Sequence, residues 1–591
     1  MHVARVSIQN FRGISSATVR FTGTSILLGD NNSGKSTIFE ALELALGPER
    51  LYRRPPINEH DFYGGRYLDE DGDPVPITIE VTIAGLDDEL ESRFRSNIEY
   101  WDEASGEVLE TPPANSTGDE DMCLRVEFRG IYDAAEDEFQ GQTSFCVPLN
   151  DDGEHADVFR TSDKREIGFL HLRALRTGTR AMSMERGSLL DVVLRSFEVE
   201  LQMWEKLLSQ LRDIPVAGAD DDQFGVVIQT LDAAMKRIVS AEWAEAPHLR
   251  VSELTREDLR HVLRAFMATG VAGHAAPFNH QGSGTVNSLV IAMLSLIAER
   301  RDKRVIFAME EPEISIPPTT QKRVVDLIRG LAGQAIFTSH SPYVIEEFDP
   351  SEMVVINRTR TDGVLSGRTV DLGSFKAKTF HEGIRTRFGE ALLARRVLVV
   401  EGKSEAAAYP YLAKLASKAN PSVFKRLDTT GWAVFDAGGD TNVEGFASLF
   451  KGLGKEVATI FDMQDPLVTA AISKCSDLAI EQPHKGFEAL LIAEIPTTGL
   501  VRFADALIGA GDWPSHIPSP AGQKDVVYSE SLKKLLVSAK GDTFALQLIA
   551  QLKESEYPVT MVDALTAIQA LGRVLAPETV VEESTNPDDK A

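Results

Sequence analysis

Apolar and polar residues alternate from Val3 to Ile8, the period of a half-buried strand, and a turn follows at Arg12-Gly13. The short apolar run Ser25–Leu28 predicts a second strand, and helical periodicity takes over from about Ser36 to Leu46. Period-2 stretches recur at Ile77–Ile83 and Leu124–Phe128, separated by acidic loops such as Asp69-Glu70-Asp71-Gly72-Asp73. Residues from Asp61 to about Gly130 therefore read as a β-rich lobe with long surface insertions. Three helical stretches follow, Leu189–Leu211, Val226–Glu242 and Arg256–Met267, the first two separated by a breaker at Pro215–Asp222. Heptads are not sustained as a long coiled-coil arm requires, so this insert is expected to be compact, with dimerisation as a candidate role.

Beyond the insert, Val305–Met309 predicts a buried strand. Thr320–Leu331 predicts a helix, and Gln334–Thr338 and Met353–Asn357 predict further strands. After a boundary near Val370–Gly389, apolar strands at Val397–Val400, Ala433–Phe435 and Val457–Phe461 alternate with helical stretches near Glu405–Ser417 and Gly445–Lys451, the rhythm of a small parallel sheet. The remainder reads as helical to about Leu575, and the tail Pro577–Ala591 as disordered. The expected divisions are 1–187, a helical insert at 188–270, 271–388, 389–575 and a tail at 576–591.

With 591 residues, 43% of them hydrophobic, the chain can bury several cores. Its 61 Lys and Arg against 89 Asp and Glu leave a net charge of −28, so contact with a polyanion requires local basic patches. Candidates are Arg173, Arg176 and Arg180, the pair Arg395-Arg396 and, more weakly, Arg53-Arg54. Three cysteines without CxxC spacing exclude a zinc knuckle or disulfide framework and fit a reducing cytoplasm. No apolar run reaches membrane-spanning length, and the N-terminus lacks a signal pattern, so neither export nor membrane association is expected.

Four motifs fall in order on the first part of the chain. In GDNNSGKS (Gly29–Ser36), between a strand and a helix, small residues bring backbone N–H groups to phosphates; Lys35 reaches the outer phosphates and Ser36 ligates Mg²⁺. Gly29, Asn31, Asn32, Ser33, Gly34, Lys35, Ser36 and Thr37 are thus candidate ATP-binding residues. In VIFAMEEPE (Val305–Glu313), Glu310 ends a buried strand and is suited to hold Mg²⁺, while Glu311 is suited to orient attacking water. His340 in TSHSP follows the next apolar strand and is a candidate sensor of the terminal phosphate.

A second set of carboxylates follows. In VLVVEGKSE, Glu401 emerges from the strand Val397–Val400 and Glu405 lies one helical turn on, so both can face one site. Phe461-Asp462-Met463-Gln464-Asp465 adds Asp462 and Asp465 at a neighbouring strand end. Two hard divalent ions bridging a phosphodiester require several such oxygens.

With Gln281-Gly282-Ser283-Gly284, which resembles a signature loop, as the fourth, these motifs resemble ABC-type ATPases over roughly residues 1–370. That resemblance implies ATP sandwiched in a head-to-head dimer, with Ser283 and Gly284 acting on a partner's nucleotide and His340 as switch histidine. The start IQNFRGI (Ile8–Ile14) is similar to the structural-maintenance-of-chromosomes branch, while Pro317 stands where relatives commonly carry a histidine. The second set resembles the Toprim domain, with Glu401 as its glutamate, Asp462 as the first acid of its DxD and Gln464 departing from the second.

The combined order resembles OLD-family (overcoming lysogenization defect) endonucleases over about residues 1–560. That resemblance adds Glu488, as a metal-site acid, and Lys540, which would neutralise charge on the phosphate. The expectation is an α/β protein with an ABC-type ATPase head, β-rich lobe and helical insert, followed by a Toprim parallel α/β domain and a helical C-terminal region. It implies a cytoplasmic, ATP-regulated DNA endonuclease using ATP and Mg²⁺ or Mn²⁺, acting as a homodimer or higher oligomer in anti-phage defence or DNA processing. A helicase or other defence protein is a candidate partner. The alternative is an ATP-dependent sensor or clamp with a degenerate Toprim domain that recruits an effector. No topoisomerase tyrosine domain, primase zinc module or long SMC arm is evident.

Overall fold

The computed structural model describes residues 1–48, 56–109, 122–172, 304–313, 317–359, 361–373, 382–538 and 543–574, apart from single positions, with shorter segments between 188 and 300 and residue 375. The described chain divides into two compact units: Met1–Ser25 with Ser36–Ser339, and Ile26–Lys35 with His340–Ala591.

In the first unit, the strand His2–Phe11 pairs antiparallel with Ile14–Arg20 on one side and Ile77–Ala84 on the other, and Ile77–Ala84 pairs with Met122–Asp133. The alternation that predicts these strands is visible in their burial. Ile77, Ile79, Val81 and Ile83 are fully buried, each worth roughly 1.5–3 kcal/mol relative to exposure. This is the β-rich lobe. A parallel trio lies in the same unit, with Ile306–Glu310 central between Phe169–Leu172 and Gln334–Thr338. Its continuously apolar strands match burial on both faces. Gln334 is fully buried, yet its amide is used throughout: it accepts from Val3 N–H at 2.8 Å and donates to the carbonyls of Val3 and Gly23.

The helical insert differs in detail from the periodicity. Helices occupy Leu189–Ser196, Leu201–Arg212 and Phe224–Ile238, but Pro215–Ala217 forms a short strand with Leu249–Arg250. Phe266 and Met267, expected to finish a helix, instead lie in the strand Phe266–Ala268, which pairs with Ala275–Pro277. Phe266 and Met267 are large residues compatible with a strand, and two-residue periodicity cannot be told from helical periodicity over so short a run.

In the second unit, residues 26–28 run parallel to Met353–Arg358, which pairs antiparallel with Val364–Thr369. A four-stranded sheet follows in the order Trp432–Asp436, Arg396–Val400, Glu456–Phe461, Leu478–Glu481, with every pair parallel. Its second strand in space is first in the chain, so the connections depart in opposite directions between Arg396–Val400 and Glu456–Phe461. Ligands of open parallel sheets bind at such a switch point, outside the carboxyl ends of the strands. The helices Phe487–Glu494, Thr497–Ala510, Asp525–Ser538, Thr543–Ala550 and Val559–Val574 build the C-terminal region, contributing Leu490, Phe503, Leu532, Leu548 and Leu565 to one core with Leu398 and Ile460. Among the described residues no helix is long and apolar enough to cross a membrane.

Candidate functional site

The GDNNSGKS loop is held in the second unit by backbone that few residues tolerate. Gly29 lies at φ 156°, and a Cβ there would fall 2.5 Å from the Ile356 carbonyl oxygen, so glycine is required. Asn32 and Gly34 also have positive φ, 65° and 103°. Asn31 and Asn32 are exposed at the rim. The Lys35 ammonium curls over its own loop, donating to the carbonyls of Gly29 at 2.8 Å and Asp30 at 3.0 Å. Ser33 is 7% exposed, and its hydroxyl is without a hydrogen-bond partner. A phosphate chain fits this cradle: its oxygens would accept from the Ser33 hydroxyl and take Lys35 from the carbonyls. The helix Lys35–Leu46 begins within the motif and carries Ser36 and Thr37 in its first turn.

In the first unit, Ser36 Oγ lies 3.4 Å from Glu310 Oε2, at the end of Ile306–Glu310. The hydroxyl and carboxylate of the two motifs, far apart in sequence, thus come together as Mg²⁺ ligation requires. Glu311 follows with φ 44°, a left-handed conformation uncommon outside glycine, and its N–H donates to the Thr338 carbonyl at 2.9 Å. His340 is exposed just beyond the strand Gln334–Thr338. Ser283 and Gly284, expected in a loop, begin the helix Ser283–Arg300. Sequence reading missed His171. This buried histidine on Phe169–Leu172 places Nε2 3.0 Å from Glu310 Oε1 and Nδ1 3.3 Å from Glu43 Oε2. Burial pulls its pKa down, but the hydrogen bonds to Glu310 and Glu43 outweigh this and hold it above the usual histidine range. Its only sequence signal is an ionisable residue inside an apolar run, FLHL.

At the carboxyl ends of the parallel strands, Glu401 and Asp462 emerge on either side of the switch point. Glu401 Oε1 accepts from the Asp462 N–H at 2.8 Å, and Asp462 Oδ2 accepts from the Gly486 N–H at 2.6 Å. Gly486 reaches that position at φ 100°, which favours glycine. Glu405, 7% exposed, lies in the first turn of Lys403–Ala419, and Glu488 in the first turn of Phe487–Glu494. Burial, then the charges of Asp462, Glu401 and Glu488, push the Glu405 carboxyl up to about 7. Glu401 is raised by burial and by Asp462 and Asp440, Asp462 by burial and by Glu488 and Asp440. Asp440, which opens the helix Asp440–Gly452, therefore belongs to the same negative field. Sequence reading missed it because it follows a third strand end rather than a motif. Lys485 opposes this field at Asp462. Among the described residues no three Asp, Glu, His or Cys side chains are placed tightly enough to enclose an ion. The donor set of hard oxygens nevertheless suits a divalent cation, which would offset the burial and relieve the repulsion that raise these pKa values.

One expected member, Asp465, is used otherwise. Asp465 caps the helix Pro466–Cys475, its carboxylate accepting from the Leu467 N–H at 3.0 Å, while Gln464 turns its amide toward Glu401 Oε1 at 3.4 Å. Lys540, Arg53, Arg54, Arg173, Arg176 and Arg180 lie outside the described residues. Arg395 and Arg396 share Glu456, and Arg396 is 7% exposed, so much of this basic island is engaged within the fold.

With this geometry in view, comparisons with known proteins define the class first. Residues 1–97 and 196–345 match the family model of an AAA ATPase domain, and residues 392–463 match the Toprim domain of overcoming-lysogenization-defect-like proteins. The chain joins an ATPase to a Toprim domain, a pairing that uses nucleotide and divalent metal. A curated relative, an OLD nuclease from Thermus scotoductus, is 22% identical over 508 residues, covering 78% of this chain and 81% of the relative. The chain thus carries an AAA ATPase domain and an OLD-like Toprim domain and is similar to an OLD nuclease, in line with the sequence resemblance. Among solved structures, the C-terminal region of the Burkholderia pseudomallei OLD protein aligns with 30% of this chain and 98% of that one at 16% identity and TM-score 0.23. A Pyrococcus furiosus Smc head domain with an extended coiled coil, bound to the C-terminal domain of ScpA, aligns with 63% and 96% at 12% identity and TM-score 0.34.

Proposed function

We propose that the chain is an ATP-regulated, divalent-metal-dependent DNA endonuclease. The observation that carries this reading is the set of Glu401, Glu405, Asp462 and Glu488 around the switch point of a parallel sheet, with burial and mutual repulsion raising three of their pKa values. The nuclease relative supports the same reading. Glu401 would release the Asp462 amide and, with Glu405, Asp462 and Glu488, hold Mg²⁺ or Mn²⁺. Bound divalent ions supply charge stabilisation for the attacking and leaving oxygens of a phosphodiester. Asp440 adds negative field, Lys485 is a nearby cation, and Lys540 would neutralise charge on the phosphate. Asp465, as a helix cap, would support the Asp462 loop rather than ligate.

ATP held by Gly29–Thr37, with its ion between Ser36 and Glu310, Glu311 orienting water and His340 at the terminal phosphate, would set the state in which cleavage occurs. Ser283 and Gly284 would complete the site across a homodimer or larger oligomer. Defence against phage, in the cytoplasm and alongside a helicase or other partner, is the setting this activity suits. The test is circular DNA incubated with the protein and Mg²⁺ or Mn²⁺. Glu401→Ala should lose cutting and keep ATP hydrolysis; normal cutting by Glu401→Ala would assign the chemistry elsewhere. The second reading, a sensor that recruits an effector, draws on Gln464 at the second DxD position. It predicts ATP hydrolysis with no cutting by the wild type.

A further inference from the structure

His171 belongs to none of the nucleotide-binding motifs, yet it meets the two elements that carry them in the first unit. It lies in parallel register with Ala308 of the strand that ends in Glu310, and its side chain is 1% exposed. Nε2 is 3.0 Å from Glu310 Oε1, Nδ1 is 3.3 Å from Glu43 Oε2, and Phe39 packs edge-on against the ring at a centroid distance of 5.7 Å. Each ring nitrogen thus faces a carboxylate oxygen, to which an N–H at that position donates. One oxygen of Glu310 is thereby engaged, and the other, Oε2, faces the Ser36 hydroxyl at 3.4 Å.

We propose that His171 is a positioning residue of the ATPase reaction: anchored on Glu43, it clamps Glu310 so that Oε2 stays directed at Ser36, where the nucleotide's divalent ion would be held. The arrangement forms a closed ring. Ser36 and Glu43 lie on one helix, Lys35–Leu46, and both lead to the same carboxylate, one directly and one through the imidazole. A glutamate side chain has more rotatable bonds than an aspartate, so a carboxylate at position 310 needs a second attachment to hold one orientation. Phe39 limits rotation of the ring. Simple structural glue would require neither two carboxylate partners nor a link to the hydroxyl of the nucleotide motif.

The clamp rests on the nucleotide reading of this site, and steady-state ATP hydrolysis by the full chain with Mg²⁺ separates the two. His171→Leu fills similar space without donors and should lower kcat by about tenfold or more, leaving KM for ATP within about threefold. His171→Gln keeps a donor toward Glu310 and should recover most of that loss. Glu43→Gln, on the partly exposed side of the ring, should also lower kcat and tests the clamp without disturbing the buried position. Wild-type kcat in His171→Leu and Glu43→Gln would overturn the clamp. Equal losses of kcat, ATP affinity and heat stability in His171→Leu and His171→Gln would overturn it too, by assigning a purely structural role. A wild-type chain without ATP hydrolysis would refute the nucleotide reading itself, and the clamp with it.

Discussion

Glu405 shows how one residue's environment sets a measurable property of the site. Its carboxyl sits near pH 7 because burial, followed by the charges of Asp462, Glu401 and Glu488, disfavours ionisation. A divalent ion must displace that proton, so Mn²⁺ affinity measured by calorimetry should rise as pH increases through about 7, with proton release detectable from buffer dependence. Affinity constant from pH 6 to 8 would contradict this. The stability sign follows from the same shift. The folded value lies above the ordinary glutamate value of 4.5, so the contribution of Glu405 is full below 4.5 and is lost as pH climbs through about 7 in the metal-free protein. Individual residues were unevenly legible in the sequence. Glu401 and Glu405 stand in one short motif, whereas the bond between Glu401 and Asp462 spans 61 positions and that between His171 and Glu310 spans 139. Only the folded sheet brings those pairs together.

At the scale of elements, the loop Asp462–Asp465 and the helix behind it decide what the altered DxD can do. Asp465 starts the helix Pro466–Cys475, with Pro466 at its first position and the carboxylate accepting from the Leu467 N–H. Asp465→Ala should cost about 1 kcal/mol of stability in chemical or thermal unfolding and leave metal affinity within about twofold. Asp465→Asn retains a capping oxygen and should match the wild type in both measurements. Loss of metal binding in Asp465→Asn would instead make Asp465 a ligand. The sequence foretold the strands at Val397–Val400 and Val457–Phe461 because each is buried and apolar but for Thr459. It did not foretell Leu478–Glu481, whose residues are half-buried or exposed at the sheet edge, nor the capping role of Asp465, which depends on where the helix begins.

The whole molecule carries two separate chemistries on one chain, and motif order made both legible, as the matches to an AAA ATPase domain and an OLD-like Toprim domain bear out. Composition was a poorer guide: a charge of −28 says little about a site whose acids converge locally. Under the proposed function, nucleotide state controls metal-dependent DNA cleavage. The most direct measurement is the rate of plasmid cleavage in Mg²⁺ or Mn²⁺ without nucleotide, with ATP and with a non-hydrolysable analogue, for the wild type and Lys35→Ala. Nucleotide should change the wild-type rate and leave that of Lys35→Ala, which should not bind it, unchanged. Wild-type cleavage at one rate under all three conditions would contradict the claim.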